Sequence, residues 1–284
     1  MLRNAAPSAV SAPDASAGTD VVRYADGVAI AGADRVAREE PLEIQLGAAP
    51  LAVVMRTPGH DEELACGFLV TERVVDDPSQ IVSVRHCRQA RDPASADNVV
   101  RVVLGDGVQV DLEALRRNLY ASSSCGICGK ATLENALASA PPLDDPSRFT
   151  PDFFYVLPDR LACAQATFAE TGGVHGAALF DGRGGLVVAR EDIGRHNAVD
   201  KVVGFALRAG RLPLSGHVLL VSGRISYEIA QKALAARIPV VAAVSAPSSL
   251  AVELASRARM TLVAFLRGRS MNVFGERARI RGAL

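Results

Sequence analysis

The second half of the sequence alternates short apolar runs with amphipathic segments, and this alternation restricts the possible folds more than any other feature. Residues 218–221 and 240–244 are wholly apolar and short enough to be buried strands. Each run is followed by serines that can cap helices, so we predict helices over 226–236 and from Ser248 or Ser249 to 257. Apolar strands that alternate with helices predict a partly parallel sheet with helices on both faces.

The other elements fit the same scheme. In the first half we predict strands at 42–46, 51–55, 81–84 and 99–104 and a helix that starts at Asp61. In the second half we predict a helix from Asp152 to Phe168 that ends at Gly172 and Gly173, strands at 174–180, 186–189, 261–265 and 271–274, and a helix at 197–207. We therefore expect an α/β protein, α+β overall, with a three-layer C-terminal domain and a smaller strand-rich N-terminal domain.

Composition divides the chain further. Residues 1–20 are rich in Ala, Ser and Pro, which predicts a disordered tail and no secretory signal. An N-terminal α+β domain is expected over 21–118. A cysteine-containing loop and a proline-rich linker occupy 119–150, and the C-terminal α/β domain covers 151–284.

Charge and cysteine content limit the classes of function. The chain has 31 basic and 31 acidic residues, and this balance argues against bulk binding to nucleic acid or to a membrane surface. No apolar run approaches the roughly 18 residues of a membrane span. Five cysteines without a secretory signal do not indicate a disulfide framework, so we expect a cytoplasmic protein.

Two cysteines lie three positions apart in a segment of small residues. Cys125 and Cys128 are surrounded by serines and glycines, and Lys130 follows them. Such a composition favours an exposed loop, where a thiol can reach another molecule. Lys130 and the start of a short helix predicted at 131–137 would both stabilise a thiolate, which is the nucleophilic form.

Three predicted strands end in loops of small and hydroxyl residues, at 222–226, 245–249 and 266–270. Ligands of such sheets bind beyond the carboxyl ends of the strands. Glycine allows backbone N–H groups to approach a ligand closely. Arginine binds phosphate in a bidentate manner, so Arg224, Arg267 and Arg269 indicate a phosphate-rich ligand. Ordinary turn chemistry is the simpler alternative for each loop taken alone.

Two further segments carry polar chemistry. Residues 190–197 place five ionisable side chains and the Asn197 amide before a helix, and an acidic residue there could accept hydrogen bonds from a guanine edge. The alternative is a salt-bridged surface loop in which Asn197 is a cap. Residues 170–176 lead into a strand with His175, for which a core histidine is the alternative.

Several familiar motifs are absent. Gly129-Lys130 is similar to part of a phosphate-binding P-loop, but Ser124 and Ala131 replace its first glycine and its hydroxyl residue. His175 lacks the nearby glutamate of the zinc deaminases. No paired motif supplies the four ligands of a structural zinc, so we expect no metal bound by protein side chains.

Taken in order, the motifs resemble those of the formate dehydrogenase accessory sulfurtransferases, the FdhD family. The resemblance spans about residues 21–279. The segments that carry it are 123–129, 170–175, 190–201, 222–224 and 265–269.

The resemblance implies a sulfurtransferase that carries sulfur as a persulfide. Cys125 matches the persulfide position, and Cys128 matches a second cysteine that is a possible assisting thiol. A cysteine desulfurase would donate the sulfur, and the acceptor would be the molybdenum of a bis(molybdopterin guanine dinucleotide) cofactor destined for the formate dehydrogenase catalytic subunit. The resemblance also implies a cytidine-deaminase-like C-terminal domain without zinc, and a homodimer.

The expected cofactor-binding residues combine the family stretch near the C-terminus with the polar segments described above. They are His175, Arg195, His196, Asn197, Ser222, Gly223, Arg224, Phe265, Leu266, Arg267, Gly268, Arg269 and Ser270.

Three other functions remain open on the residues alone. A dithiol redox protein would cycle a disulfide between Cys125 and Cys128, but it would lack the usual aromatic residue and proline of such motifs. A non-catalytic chaperone would bind the cofactor and deliver it without transferring sulfur. A structural zinc at the cysteine pair would need two more ligands.

Overall fold

The protein is described here by a computed structural model, which covers residues 15–87, 97–113, 115, 133–134, 136–138 and 140–282. The described chain forms three sheets, with a six-stranded sheet at its centre. No helix in this part of the chain combines the length and the apolar character needed to cross a membrane.

The strands of the central sheet are β7 (His175–Phe180), β8 (Leu186–Asp192), β9 (Val218–Val221), β10 (Val240–Ala243), β11 (Thr261–Arg267) and β12 (Ser270–Gly275). Their order across the sheet is β12-β11-β10-β9-β7-β8. β9, β10 and β11 are parallel to one another, while β7 runs antiparallel to both β8 and β9, and β12 runs antiparallel to β11.

Side chains of the central strands alternate between two apolar cores. In β9, Leu219 and Val221 enter one core, whereas Val218 and Leu220 enter the other. Helices cover both faces, and the predicted three layers and partly parallel sheet are confirmed. The helices are α1 (Asp61–Thr71), α2 (Pro151–Tyr155), α3 (Leu157–Cys163), α4 (Ala166–Thr171), α5 (Arg195–Arg208), α6 (Tyr227–Ala235) and α7 (Ser249–Arg257).

A second sheet packs onto the helical layer that holds α1 and α5. Its strand order is β4-β3-β6-β5, with bounds β3 (Glu40–Leu46), β4 (Ala49–Arg56), β5 (Ile81–His86) and β6 (Val99–Leu104). Leu42 and Val100 of this sheet share one core with Leu64 of α1 and Val199 of α5. The N-terminal strands therefore share one core with α1 and α5.

Charged side chains are buried in and beside this helical layer. Lys201 Nζ lies 2.7 Å from Asp192 Oδ2 and donates to the backbone oxygen of Thr57. Lys232 Nζ lies 2.9 Å from both carboxylate oxygens of Asp200. Because each buried ammonium has a carboxylate partner, the desolvation of these charges is offset.

The sequence-based prediction is wrong for part of the tail. β1 (Ser16–Ala25) pairs with β2 (Val28–Ala37) in a two-stranded antiparallel sheet, so residues 16–20 are strand. Asp26 and Gly27 both have positive φ, as a type I′ hairpin turn requires. The Ser16 hydroxyl donates to Glu170, which anchors the hairpin to α4.

The helix predicted over 152–168 is also wrong as a single element. Three short helices, α2 to α4, replace it. Pro158 stands in the first turn of α3, where its missing N–H costs nothing, and the residue before a proline disfavours helix. The end at Gly172 is confirmed, since that residue caps α4 in the left-handed conformation.

Candidate functional site

The polar loops predicted from the sequence meet at one edge of the central sheet. β9, β10 and β11 are parallel, so the segments that follow them emerge side by side. His175 begins β7, which is antiparallel to β9, and Asp192 ends β8, which is antiparallel to β7. These antiparallel pairings bring His175 and the start of α5 to the same edge.

Backbone hydrogen bonds join the three loops into one surface. Ile225 N donates to Ala246 O at 3.1 Å, and Ser248 N donates to Ile225 O at 2.9 Å. Phe265 N donates to Ser245 O at 3.0 Å. The loops after β9, β10 and β11 are thus held in register before any ligand binds, which reduces the ordering cost of binding.

His175 and Ser222 lie next to each other at this edge. The Gly176 amide donates to Ser222 Oγ at 2.9 Å, and His175 Nδ1 lies 3.5 Å from the same oxygen. Burial and the charge of Arg195 lower the pKa of His175. Gly223 lies against the His175 ring, where a larger side chain would fill the space above it.

His196 lies in the first turn of α5, beside the first turn of α6. Burial, together with the charge of Arg195, lowers the pKa of His196 to about 4, so the imidazole is neutral at pH 7. Its Nε2 lies 4.0 Å from Glu228 Oε2. Among the described residues, the buried atoms Arg195 Nε and His196 Nε2 have no hydrogen-bond partner.

Asn197 is placed differently from its neighbours. Its amide nitrogen donates to Met55 O at 2.7 Å and to Asp192 Oδ1 at 2.9 Å, and its side chain is buried. Gly194, not Asn197, is the N-cap of α5. The Asn197 amide therefore links the second sheet to α5, and its role in ligand binding stays a prediction.

Phe265 interrupts β11 at the same edge. Its φ is 53°, in the left-handed region that side chains other than glycine rarely adopt, and the pairing of β11 with β12 shifts register there. The ring is 41% exposed, whereas the next side chain, Leu266, is buried. Leu266 thus belongs to the core, and the strained Phe265 presents its ring outward.

The arginines of the edge are exposed. Arg267 Nε donates to Val244 O at 3.4 Å, and Arg269 pairs with Asp152 at 2.6 Å while its guanidinium stacks on Tyr155. Arg224 projects from the loop after β9. Gly268, with φ of 53°, and the exposed Ser270 complete the turn between β11 and β12.

Cys125 and Cys128 lie outside the described residues, as do residues 131, 132 and 135 of the helix predicted at 131–137. The other residues of that segment, 133, 134, 136 and 137, are helical. Of the cysteines that are described, burial raises the pKa of Cys66 to about 11, so its thiol is unreactive at neutral pH. Cys163 is exposed. Within the described ranges no group of His, Cys, Asp and Glu side chains could hold a metal ion.

The fold and the site define a class: a three-layer α/β protein whose polar loops converge on one edge of its central sheet. A family model described as the FdhD/NarQ family matches residues 37–281, and the chain belongs to that family. A candidate formate dehydrogenase accessory protein from Desulfotalea psychrophila has the same fold, with a TM-score of 0.72 at 24% identity over 93% of this chain and 99% of that one.

Curated relatives are similar along nearly their whole length. A sulfur carrier protein FdhD from Streptomyces avermitilis is 53% identical over 264 residues, which are 92% of this chain and 94% of the relative. Its namesake from Mycobacterium tuberculosis is 50% identical over 253 residues, 87% of this chain and 92% of the relative.

Sequence reasoning missed Glu228, the carboxylate that the fold brings beside His196. The only sequence signal for Glu228 is its position two residues after the N-cap Ser226. That position is typical of any acidic residue in the first turn of a helix and does not indicate a binding site. The pairing of α5 with α6 was needed to place it at the edge.

Proposed function

We propose that this protein is a sulfur carrier in the maturation of formate dehydrogenase. Membership of the FdhD/NarQ family and the name of the relatives at about 50% identity support the role of the chain as a whole. The observation that carries the chemistry is the gathering of three glycine-, serine- and arginine-containing loops at one edge of the sheet.

The edge suits a ligand with several phosphates. Arg224, Arg267 and Arg269 present guanidinium groups along it, and guanidinium binds phosphate through paired N–H groups. The acceptor of the sulfur is then a molybdenum bis(molybdopterin guanine dinucleotide), bound here as a substrate. The exposed Phe265 ring adds apolar contact to this surface.

The sulfur is carried on Cys125 as a persulfide. The Cys125 thiolate attacks the terminal sulfur of a cysteine desulfurase persulfide, an S–S bond forms on Cys125, and the desulfurase cysteine leaves as its thiolate. No net oxidation occurs in this exchange. Lys130 favours the attacking thiolate, and Cys128 assists as a second thiol.

The partners follow from this role. A cysteine desulfurase donates the sulfur, and the catalytic subunit of formate dehydrogenase receives the sulfurated cofactor. We further propose that the protein works in the cytoplasm as a homodimer. These assignments rest on the family, and the exchange with the desulfurase is the step that can be tested first.

The test is intact-protein mass spectrometry after incubation with a cysteine desulfurase and cysteine. The wild type should gain about 32 Da for one sulfur atom, and a reductant should remove it. Cys125→Ala should gain nothing. Cys163→Ala is the matched control, because it removes an exposed cysteine elsewhere in the chain, and this variant should load like the wild type.

Two outcomes would contradict the proposal. A wild type that takes no sulfur from an active desulfurase would leave a chaperone that only binds the cofactor. Loss of the sulfur adduct in Cys163→Ala, with Cys125→Ala unaffected, would place the carrier thiol elsewhere.

A further inference from the structure

Apart from Asp152 beside Arg269, three carboxylates of the described residues lie near the start of α5 at this edge, and two of the three are already occupied. Asp192 accepts from Lys201, Gly194 and Asn197 and from the Thr57 amide. Glu191 accepts from the amides of Thr167 and Phe168 at 2.9 and 2.8 Å. Neither carboxylate can turn toward a ligand without giving up these hydrogen bonds, which is costly.

Glu228 is the third carboxylate, and its side chain is 46% exposed. Among the described residues its one ion-pair contact is with His196, whose Nε2 lies 4.0 Å from Glu228 Oε2. Partial burial raises the pKa of Glu228, but the neighbouring Ser226 hydroxyl, the backbone amide at the start of α6 and the charge of Arg195 outweigh it. Because His196 is neutral at pH 7, it does not neutralise the ionised Glu228.

We infer that Glu228 recognises the guanine base of the bound nucleotide; this inference rests on the proposed function. A carboxylate offers two acceptor oxygens side by side. Guanine offers two donors in the same arrangement, N1–H and the 2-amino group. Adenine has an acceptor at N1 and is repelled, and inosine lacks the second donor.

The dimensions of the edge fit this orientation. Glu228 follows the loop after β9, while Arg267 ends β11 two strands away. Adjacent strands are about 4.8 Å apart, so the two loops are separated by roughly 10 Å. That separation is comparable with the length of a nucleoside diphosphate, so guanine at Glu228 places the phosphates near Arg267.

The experiment measures the binding of GDP, IDP, ADP and XDP to the full chain by isothermal titration calorimetry. The wild type should prefer GDP, with IDP weaker and ADP and XDP weakest. Glu228→Gln replaces one acceptor with an amide donor, which matches the carbonyl that xanthine carries in place of the 2-amino group. This variant should lose about ten- to hundredfold in GDP affinity and gain affinity for XDP.

Glu253→Gln is the matched control, since Glu253 is exposed on α7, and its order of preference should equal that of the wild type. The inference is overturned if Glu228→Gln keeps the wild-type order, or loses affinity for all four nucleotides equally. If the wild type still binds GDP in these cases, the proposed function stands. Failure of the wild type to bind any guanine nucleotide overturns the inference and removes the nucleotide-binding part of the proposed function as well.

Discussion

Gly67 of α1 lies against the backbone of Asp200 on α5, so closely that a β-carbon on Gly67 would be 1.7 Å from the Asp200 carbonyl oxygen. The contact is reciprocal, because a β-carbon on Gly204 would be 1.8 Å from the carbonyl oxygen of Glu63. No rotamer change relieves a clash with backbone, so the two helices can approach only through these glycines.

Gly67→Ala should therefore force α1 away from α5 and open the shared core. We expect a loss of about 3 kcal/mol in the free energy of unfolding, at the upper end for overpacked sites. Urea denaturation followed by circular dichroism measures it. Gly18→Ala is the control, since nothing lies within 4 Å of a β-carbon there. Equal stability of both variants would show that the helices are not held this closely.

The sequence predicts the elements of this fold better than their packing. The strands at 99–104 and 218–221 have the predicted bounds because period-two or wholly apolar patterns identify strands locally. The sequence did not reveal that α1 packs onto α5, which is a contact between residues far apart in the chain. The burial of Lys201 and Lys232 depends on that contact and was not predicted either.

The site was predicted in part for the same reason. Its loops follow strands, so their types could be recognised locally, and parallel strands bring them to one edge. The outward or inward direction of a side chain is not a local property. Asn197 turns inward to Met55 of the second sheet, whereas Glu228 reaches the edge from another helix. The packing of α5 against the second sheet and against α6 decides these two positions.

Stability should fall as the pH drops from 7.5 toward 4.5. Burial lowers the pKa of His60 and His175 and lowers that of His196 to about 4. In the unfolded chain these imidazoles take up protons near pH 6.5, whereas in the folded protein they take up protons only at lower pH. Because the unfolded state binds more protons in this window, acid favours unfolding.

His196→Gln removes one of these groups and should flatten the pH dependence between 6.5 and 4.5. Urea midpoints at pH 7.5, 6.0 and 5.0 measure the effect for the variant and the wild type. A variant whose midpoint falls as steeply as that of the wild type would mean that His196 is protonated in the folded protein.

Two substitutions at Phe265 can separate the effect of backbone strain on stability from the effect of the ring on ligand binding. Because its φ is 53°, Phe265→Gly should stay within about 1 kcal/mol of the wild type, whereas the β-branched Phe265→Val should lose about 1–2 kcal/mol. Both variants lack the exposed ring and should bind GDP several-fold more weakly. Thermal melts and calorimetry measure the two effects, and unchanged GDP affinity in both variants would show that the ring has no part in binding.

Arg267 and Arg269 should contribute unequally to phosphate binding. Arg269 is paired with Asp152 at 2.6 Å, whereas within the described part of the chain no carboxylate forms an ion pair with Arg267. Arg267→Ala should therefore weaken GDP binding about tenfold, and Arg269→Ala should weaken it less. Asp152→Asn removes the carboxylate that competes with phosphate for Arg269. This substitution should strengthen GDP binding when it is made alone but not when it is combined with Arg269→Ala.

Titrations with GDP at two salt concentrations test the order, because phosphate contacts weaken as salt rises. Arg257→Ala is the control, since Arg257 pairs with Glu134 on the outer side of α7 and should bind GDP like the wild type. If Arg267→Ala and Arg257→Ala bind GDP equally well, the phosphates do not lie at the end of β11. The nucleotide would then have to bind with its phosphates toward Arg224.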